Sequence, residues 1–411
     1  MFNVFDSKRN DGSKEDCLGM SSDITEKCDD AKIKINLGYL DGLRGILCML
    51  VLIEHCINIY KPDIRFTDLD GVAGLIRRVI NFTPLNVIYN GDMAVYIFFV
   101  LSGFVLSLSF NKTKNHEVIL SGVIKRYPRI MLPVAGSMIF MYVAMQLTDN
   151  FIGKAFDAQW SEFLVQTLYR VPFTHTVLTN YPLWSMSYEL FGSLLVFSLL
   201  AIFGKNKYRI IFYFLVMIYF FVSLNQAHQD LYEYSTYYAL FVFGVIMCDI
   251  TKCGSFRINP TIRFIIFLIG LLLATTPLPR VGVGQYIGAY SYLSFFDNFT
   301  YMQVSITTGS IGSMLLFASI IDSRLAISLL STRIVKFLGK ISFPLYLNHA
   351  TVIYVIGFII QQRYGDVSAS EFMIATALTA LISILVAYVF ERYVDMPSIK
   401  VSHKLSKIIC K

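Results

Sequence analysis

Residues 37–59 read LGYLDGLRGILCMLVLIEHCINI. The run can cross a bilayer, since about 20 helical residues at ~1.5 Å each span ~30 Å. Yet it contains Asp41, Arg44, Glu54 and His55. A charge at the centre of a lone membrane helix costs at least about 2.5–3.5 kcal/mol, so this stretch has to pack among other helices. At 100° per residue, the step from Arg44 to His55 is three turns plus about 20°. Both therefore lie on one face, about 16 Å apart along the axis, with Cys48 and Val51 near the same line. The plain reading is a structural ion pair or an arginine snorkelling at a helix end. The sharper reading is a reaction or transport path through a helix bundle.

Charged residues make up 15% of the 411-residue chain and hydrophobic ones 55%, whereas soluble domains are about 25% charged. The chain reads as a polytopic membrane protein. Its formal charge of +7 is no nucleic-acid footprint, because the basic residues are spread over loops that alternate in charge. Residues 1–36 are polar and mixed in charge, which predicts a poorly ordered tail rather than a cleavable signal. Of the seven cysteines, Cys48, Cys56 and Cys248 sit in apolar runs as small hydrophobes. Cys17, Cys28, Cys253 and Cys410 lie in tails or loops, and no Cys/His spacing suggests a metal.

Further apolar runs follow near 87–109, 130–147, 187–203, 208–221, 232–250, 264–276, 301–321, 341–360 and 372–390. The Gly- and Tyr-rich stretch 281–298 reads as interfacial or re-entrant. With the N-terminus inside, roughly three-quarters of the 35 Lys and Arg fall on the cytoplasmic side, a strong positive-inside signal. The expected fold is an all-α polytopic membrane helix bundle of about ten transmembrane helices with both termini cytoplasmic. A polar N-terminal tail (1–36), a membrane domain (37–398) and a basic C-terminal tail (399–411) divide the chain. Arg44 then sits toward the cytoplasm and His55 toward the outside.

Several motifs carry chemistry. In GDMAVYIFFVLSGFVL, Gly103 allows close approach of another backbone, and the Ser102 hydroxyl can bond inside the bundle. The cytoplasmic loop VIKRYPRIMLP holds Lys125, Arg126 and Arg129. This is either a positive-inside cluster or a phosphate site, since arginine forks match phosphate bidentately. In PLWSMSYEL, Glu189 stands about one turn into a helix, at the outer level with His55. A helix start favours a negative charge, so stability alone can explain it. In LGKISFPLYLNH, Asn348 and His349 lie inside the membrane, where a lone histidine is more often a satisfied core residue. Asp395 and Pro397 in YVDMPS are expected to end the last membrane helix.

Taken together with LDGLRGILCMLVLIEH, these six motifs, in this order and spacing, resemble the acyltransferase-3 family of integral membrane acyltransferases. The resemblance runs from about Leu37 to Ser398. Asp395 stands where the family commonly has Glu, and Tyr188–Glu189 is followed by Leu-Phe-Gly where many members have a more polar run. The resemblance implies transfer of an acyl group, usually acetyl, from a cytosolic thioester such as acetyl-CoA to a hydroxyl of an extracytoplasmic acceptor, commonly a carbohydrate. Some members carry a C-terminal esterase-like domain. With 14 residues after Pro397, this chain is expected to complete transfer alone or with a partner.

On this reading His55 is the general base, because an imidazole titrates near working pH. Glu189 or Glu54 orients it, and His349 is a second acid/base candidate. Arg126 and Arg129 meet the donor's phosphates, Arg44 holds the pantetheine end or a phosphate, and Ser102 is a helix contact or a donor near the carbonyl. No metal is called for. The expected setting is the cell membrane, and the reading is compatible with a homo-oligomer. The competing class is a transporter or flippase, which also uses intramembrane charges; its inverted repeats are not found, and the Arg44–His55 track occurs once.

Overall fold

The computed structural model describes residues 38–66, 71–153, 156–175, 177, 179–222, 229–251, 258–277, 286–296, 298–364 and 367–410. Every regular element among them is helical. The principal helices are α1 (Gly38–Tyr60), α2 (Gly91–Thr113), α3 (His116–Phe151), α4 (Trp184–Phe203), α5 (Arg209–Val222) and α6 (Gln229–Thr251). They continue as α7 (Pro260–Ala274), α8 (Tyr301–Ile320), α9 (Arg333–Tyr364), α10 (Ala369–Phe390) and α11 (Met396–Ile409). The ten apolar runs of the sequence fall on α1–α10. Seven helical spans among the described residues are long and apolar enough to cross a membrane, while α5, α7 and the apolar part of α6 are shorter. The N-terminal tail, with Cys17 and Cys28, and Cys253 lie outside the described residues.

Local chemistry sets the helix starts. Asn90, Asn115 and Asn259 accept backbone N–H groups at the starts of α2, α3 and α7. Thr300 with Gln303, and Ser368 with Glu371, form full capping boxes on α8 and α10. A side-chain cap satisfies one of the orphan donors of a helix start and contributes about 1 kcal/mol.

The centre of the bundle is the pairing of α1 with α9, which run parallel. Cys48 Sγ bonds the Ser342 carbonyl, and Tyr60 bonds the Ile353 carbonyl. The backbones touch because glycines face each other. A Cβ on Gly339 would lie 2.1 Å from the Asp41 carbonyl oxygen, and one on Gly45 would lie 2.6 Å from the Gly339 nitrogen. Close approach of this kind drives association in a membrane, where apolar burial between helices gains little over lipid. Gly103 of α2 likewise abuts the Phe241 carbonyl of α6, the close approach expected from the sequence. Glu54, 2% exposed, is compensated by Arg65, whose Nη1 lies 2.6 Å from its Oε1. A carboxylate at that depth needs such a partner.

Two expectations change. The stretch around Lys125–Arg129 is not a loop: Asn115 starts α3 at His116, and the helix runs through Pro128 and Pro133. Membrane helices tolerate such interruptions because neighbouring groups re-satisfy the freed carbonyls. Nor do Asp395 and Pro397 end the last helix. The chain passes through a π turn, Glu391–Asp395, into α11, and proline near a first turn costs no helical hydrogen bond. Most of the basic tail after 398 is thus helix, docked on α3 through Ser121 and Ser406, whose hydroxyls are 2.9 Å apart. Of the stretch 281–298, the Gly288–Phe296 part is a 3-10 helix, and residues 281–285 and 297 lie outside the described residues.

Candidate active site

Three arginines, one on α1 and two on α3, gather together. Arg126 and Arg129 are three positions apart on α3 and so share a face. Arg126 pairs with Glu189 of α4, whose carboxylate also accepts the Ser102 hydroxyl of α2. Arg129 pairs with Asp395 of the π turn and lies over the Phe343 ring, 5.1 Å from its centroid. Arg44 of α1 lies within electrostatic reach of Arg126 and is itself paired with Asp41 at 3.1 Å. Each arginine has a carboxylate. Arg126 Nε is buried with no acceptor among the described residues, and an arginine fork has donors left over for an anion.

About three turns along α1, two histidines meet. The rings of His55 and His349 stack with centroids 5.3 Å apart and planes within 7°. Tyr181 meets the His55 ring edge-on at 4.6 Å. His349 is fully buried. Its Nδ1 lies 3.0 Å from the Leu345 carbonyl oxygen, which can only accept. This geometry assigns the proton to Nδ1 and the lone pair to Nε2. Nε2 and the Tyr181 hydroxyl are buried without a hydrogen-bond partner among the described residues. Unmet polar groups are costly inside a protein, and two of them beside a half-exposed imidazole mark a place where chemistry or a ligand is accommodated.

Between these ends, Ser185 and Tyr346 share a hydrogen bond of 2.8 Å. Past the histidines, Tyr354 packs edge-on to Tyr181 at 5.8 Å. A cavity of about 460 Å³ opens beyond it. To one side, His175 stacks on Tyr188 at 4.1 Å and bonds Ser187. Burial holds its imidazole below the usual histidine range.

The structure therefore brings His55 and His349 together at one level and Arg44, Arg126, Arg129, Ser102 and Glu189 at another. Glu189 is not beside His55. The helix turn opens at Tyr181, so Glu189 lies about 12 Å further along the axis at ~1.5 Å per residue and reaches the arginines instead. Glu54 pairs with Arg65. Tyr181, Tyr354 and Asp395 were not singled out as site residues. The signal for Tyr181 is its place directly before the PLWSMSYEL motif that carries Glu189.

The Acyltransferase domain family (acyltransferase-3) matches residues 37–392. An O-acetyltransferase of Phomopsis amygdali, PaAT-1, is 24% identical over 442 aligned positions, covering 91% of this chain and 85% of the relative. No solved structure gives a significant match.

Proposed function

The chain belongs to the acyltransferase-3 family; from that premise we propose that it is a membrane O-acetyltransferase, like its relative, and moves acetyl from cytosolic acetyl-CoA to a hydroxyl of a carbohydrate-bearing acceptor across the membrane. The observation that carries this reading is the stacked His55–His349 pair, joined by one face of α1 to the arginine cluster. A CoA thioester has phosphates at one end and its reactive carbonyl at the other, and the face of α1 presents the cation and the imidazole in the same order. The arginine end faces the cytosol, in keeping with ten crossings and both termini inside.

In this reading Arg126 and Arg129 hold donor phosphates with the fork donors their carboxylate partners leave free, and Arg44 steadies the arm. Glu189 and Asp395 fix the forks, and Ser102 fixes Glu189. The acetyl carbonyl reaches the histidines. His55 takes the acceptor hydroxyl's proton as its oxygen attacks the carbonyl carbon. The Tyr181 hydroxyl, otherwise unpartnered, donates to the developing oxyanion, which is where a preplaced donor stabilises most. The C–S bond then breaks, and the departing thiolate receives the proton from His55. His349, locked by Leu345, holds the His55 ring in plane.

Isothermal titration of acetyl-CoA into nanodisc-embedded protein tests the donor end. Arg126→Ala and Arg129→Lys are expected to weaken binding about tenfold or more, since lysine does not replace a bidentate fork. Unchanged affinity in both would discard the phosphate site. Cysteines placed at Gln159 and Lys112 test orientation: an impermeant thiol reagent outside should reach the first and miss the second.

A further inference from the structure

The helix α11 (Met396–Ile409) lies past residue 392, where the family match ends. Its sequence divides it into faces. Ser398, Ser402 and Ser406 recur every four residues and are buried, which sets them on one side of the helix. That side docks on α3. At one end the Arg129 fork reaches Asp395 and, at 3.5 Å, the Ser398 hydroxyl; at the other, the Ser121 and Ser406 hydroxyls meet at 2.9 Å. Position 121 thus faces 406 while 129 faces 398, so the two helices run antiparallel, and small side chains let them approach closely. Val401, Leu405 and Ile408 form an exposed apolar face. His403 and Lys407, one turn apart, lie on another.

That last face meets Lys125, one turn along α3 from Ser121. His403 lies within electrostatic reach of Lys125, Lys407 and Arg129, and Lys125 within reach of Lys407. Residues 396–411 contain no Asp or Glu. Arg44, Arg126 and Arg129 each have a carboxylate, whereas among the described residues no carboxylate pairs with Lys125, His403 or Lys407. Cations near a cytoplasmic helix end fit the positive-inside bias and the helix dipole. Neither effect calls for gathering the cations of two helices along one seam, where like charges repel. At ~1.5 Å per residue, His403 lies about 12 Å and Lys407 about 18 Å along α11 from Asp395, the partner of Arg129. A row of positive charge therefore continues from the arginines toward the end of the chain.

We propose that Lys125, His403 and Lys407 form a second anion site, which takes a phosphate monoester, the 3′-phosphate of the donor nucleotide, and makes the enzyme prefer CoA thioesters to thioesters without that group. This rests on the donor reading above, in which Arg126 and Arg129 hold donor phosphates, and it gives a role to Lys125, which that reading leaves unused. A phosphate monoester carries about −1.5 to −2 charge at neutral pH, and lysine binds phosphate as a point charge. In the donor, the ribose holds the 3′-phosphate apart from the diphosphate. In the protein, the seam holds the two lysines apart from the arginine forks.

Calorimetric titration of acetyl-CoA and acetyl-3′-dephospho-CoA into full-length protein in phosphatidylcholine nanodiscs tests this. The wild type is expected to bind acetyl-CoA about tenfold tighter than the dephospho donor, the scale of one charge-assisted contact. Lys125→Gln and Lys407→Gln should each weaken acetyl-CoA by about three- to tenfold and leave the dephospho donor unchanged, which also shows that the variants are folded. Lys404 stands two residues from both Ser402 and Ser406 and so faces away from α3; Lys404→Gln removes the same charge and should leave the preference intact. Arg126→Ala should weaken both donors alike. Equal affinity of the wild type for the two donors, or equal weakening of both by Lys125→Gln and Lys407→Gln, would overturn the second site and leave the donor reading standing. Binding of neither donor would overturn the donor reading and this site with it. A preference abolished by adding phosphatidylserine to the discs would show lipid headgroups filling the seam and would also overturn the proposal.

Discussion

Arg129 and Asp395, separated by 266 positions in the sequence, close the bundle by an ion pair between α3 and the π turn that joins α10 to α11. The Asp395 side chain is 2% exposed, and Arg129 is the cation paired with it. Asp395→Ala strands the arginine and is expected to cost about 3–5 kcal/mol, as breaking one side of a buried pair does. Thermal unfolding in detergent reads this as a fall in Tm. The double variant Arg129→Met with Asp395→Leu removes both charges and should unfold later than Asp395→Ala. An equal or lower Tm for the double variant would show that the pair is not what Asp395 contributes.

His55→Ala should cut acetyl transfer by about 10²–10⁴, the usual worth of a placed acid–base group, while acetyl-CoA still binds. Transfer measured with labelled acetyl-CoA, beside calorimetric donor binding, separates the two effects. Robust transfer would move the base to His349.

His349 acts through His55, so the choice of replacement matters. His349→Gln retains an N–H donor for the Leu345 carbonyl and should keep more activity than His349→Phe, which fills the space without it. The conservative variant is also expected to preserve the pH profile of transfer. Equal loss in both, with an unshifted profile, would reduce His349 to a packing residue.

His175 sets an acid limit to stability. Its imidazole lies below the ordinary value of 6.5 because burial disfavours the charged form. The unfolded chain therefore takes up a proton at that residue before the folded one does. The contribution of His175 is complete above about 6.5 and is lost as pH falls through the lower, folded value. His175→Gln should flatten the fall in Tm between neutral and mildly acid pH; an unaltered slope would exclude His175 as its source.

Gly339→Val tests the α1–α9 contact. A Cβ there meets backbone, not a movable side chain, so the helices have to separate. Loss of the monodisperse peak in size-exclusion chromatography is expected, whereas Ala377→Val, at an exposed position of α10, should leave the peak intact.

The apolar runs and the Arg44–His55 face were legible because bilayer thickness and helix period are fixed constants that a sequence has to satisfy. The helical state of Lys125–Arg129 was not, since Pro128 and Pro133 read as breakers in isolation and are tolerated only in a bundle that supplies other partners. Glu189 was assigned to the histidine level because it was placed about one turn into its helix, whereas the 3-10 turn at Tyr181–Leu183 extends that helix and puts it about two turns in; at ~1.5 Å per residue the extra turn moves a side chain by roughly 5–6 Å. The partners of Arg129 and His55 come from far along the chain, and no local pattern announces a contact with Asp395 or His349.

The α1–α9 seam also bears on how the protein is made. Cys48 and Ser342, which touch across it, are 294 positions apart. At translation rates of about 5–20 residues per second, roughly 15–60 s pass between the synthesis of one and the other. During that interval the helix carrying Arg44, Glu54 and His55 has left the ribosome without the partner its glycines fit. A nascent chain stalled before α9 would therefore leave that polar helix without its partner in lipid, and would be the form that membrane quality control has most cause to capture.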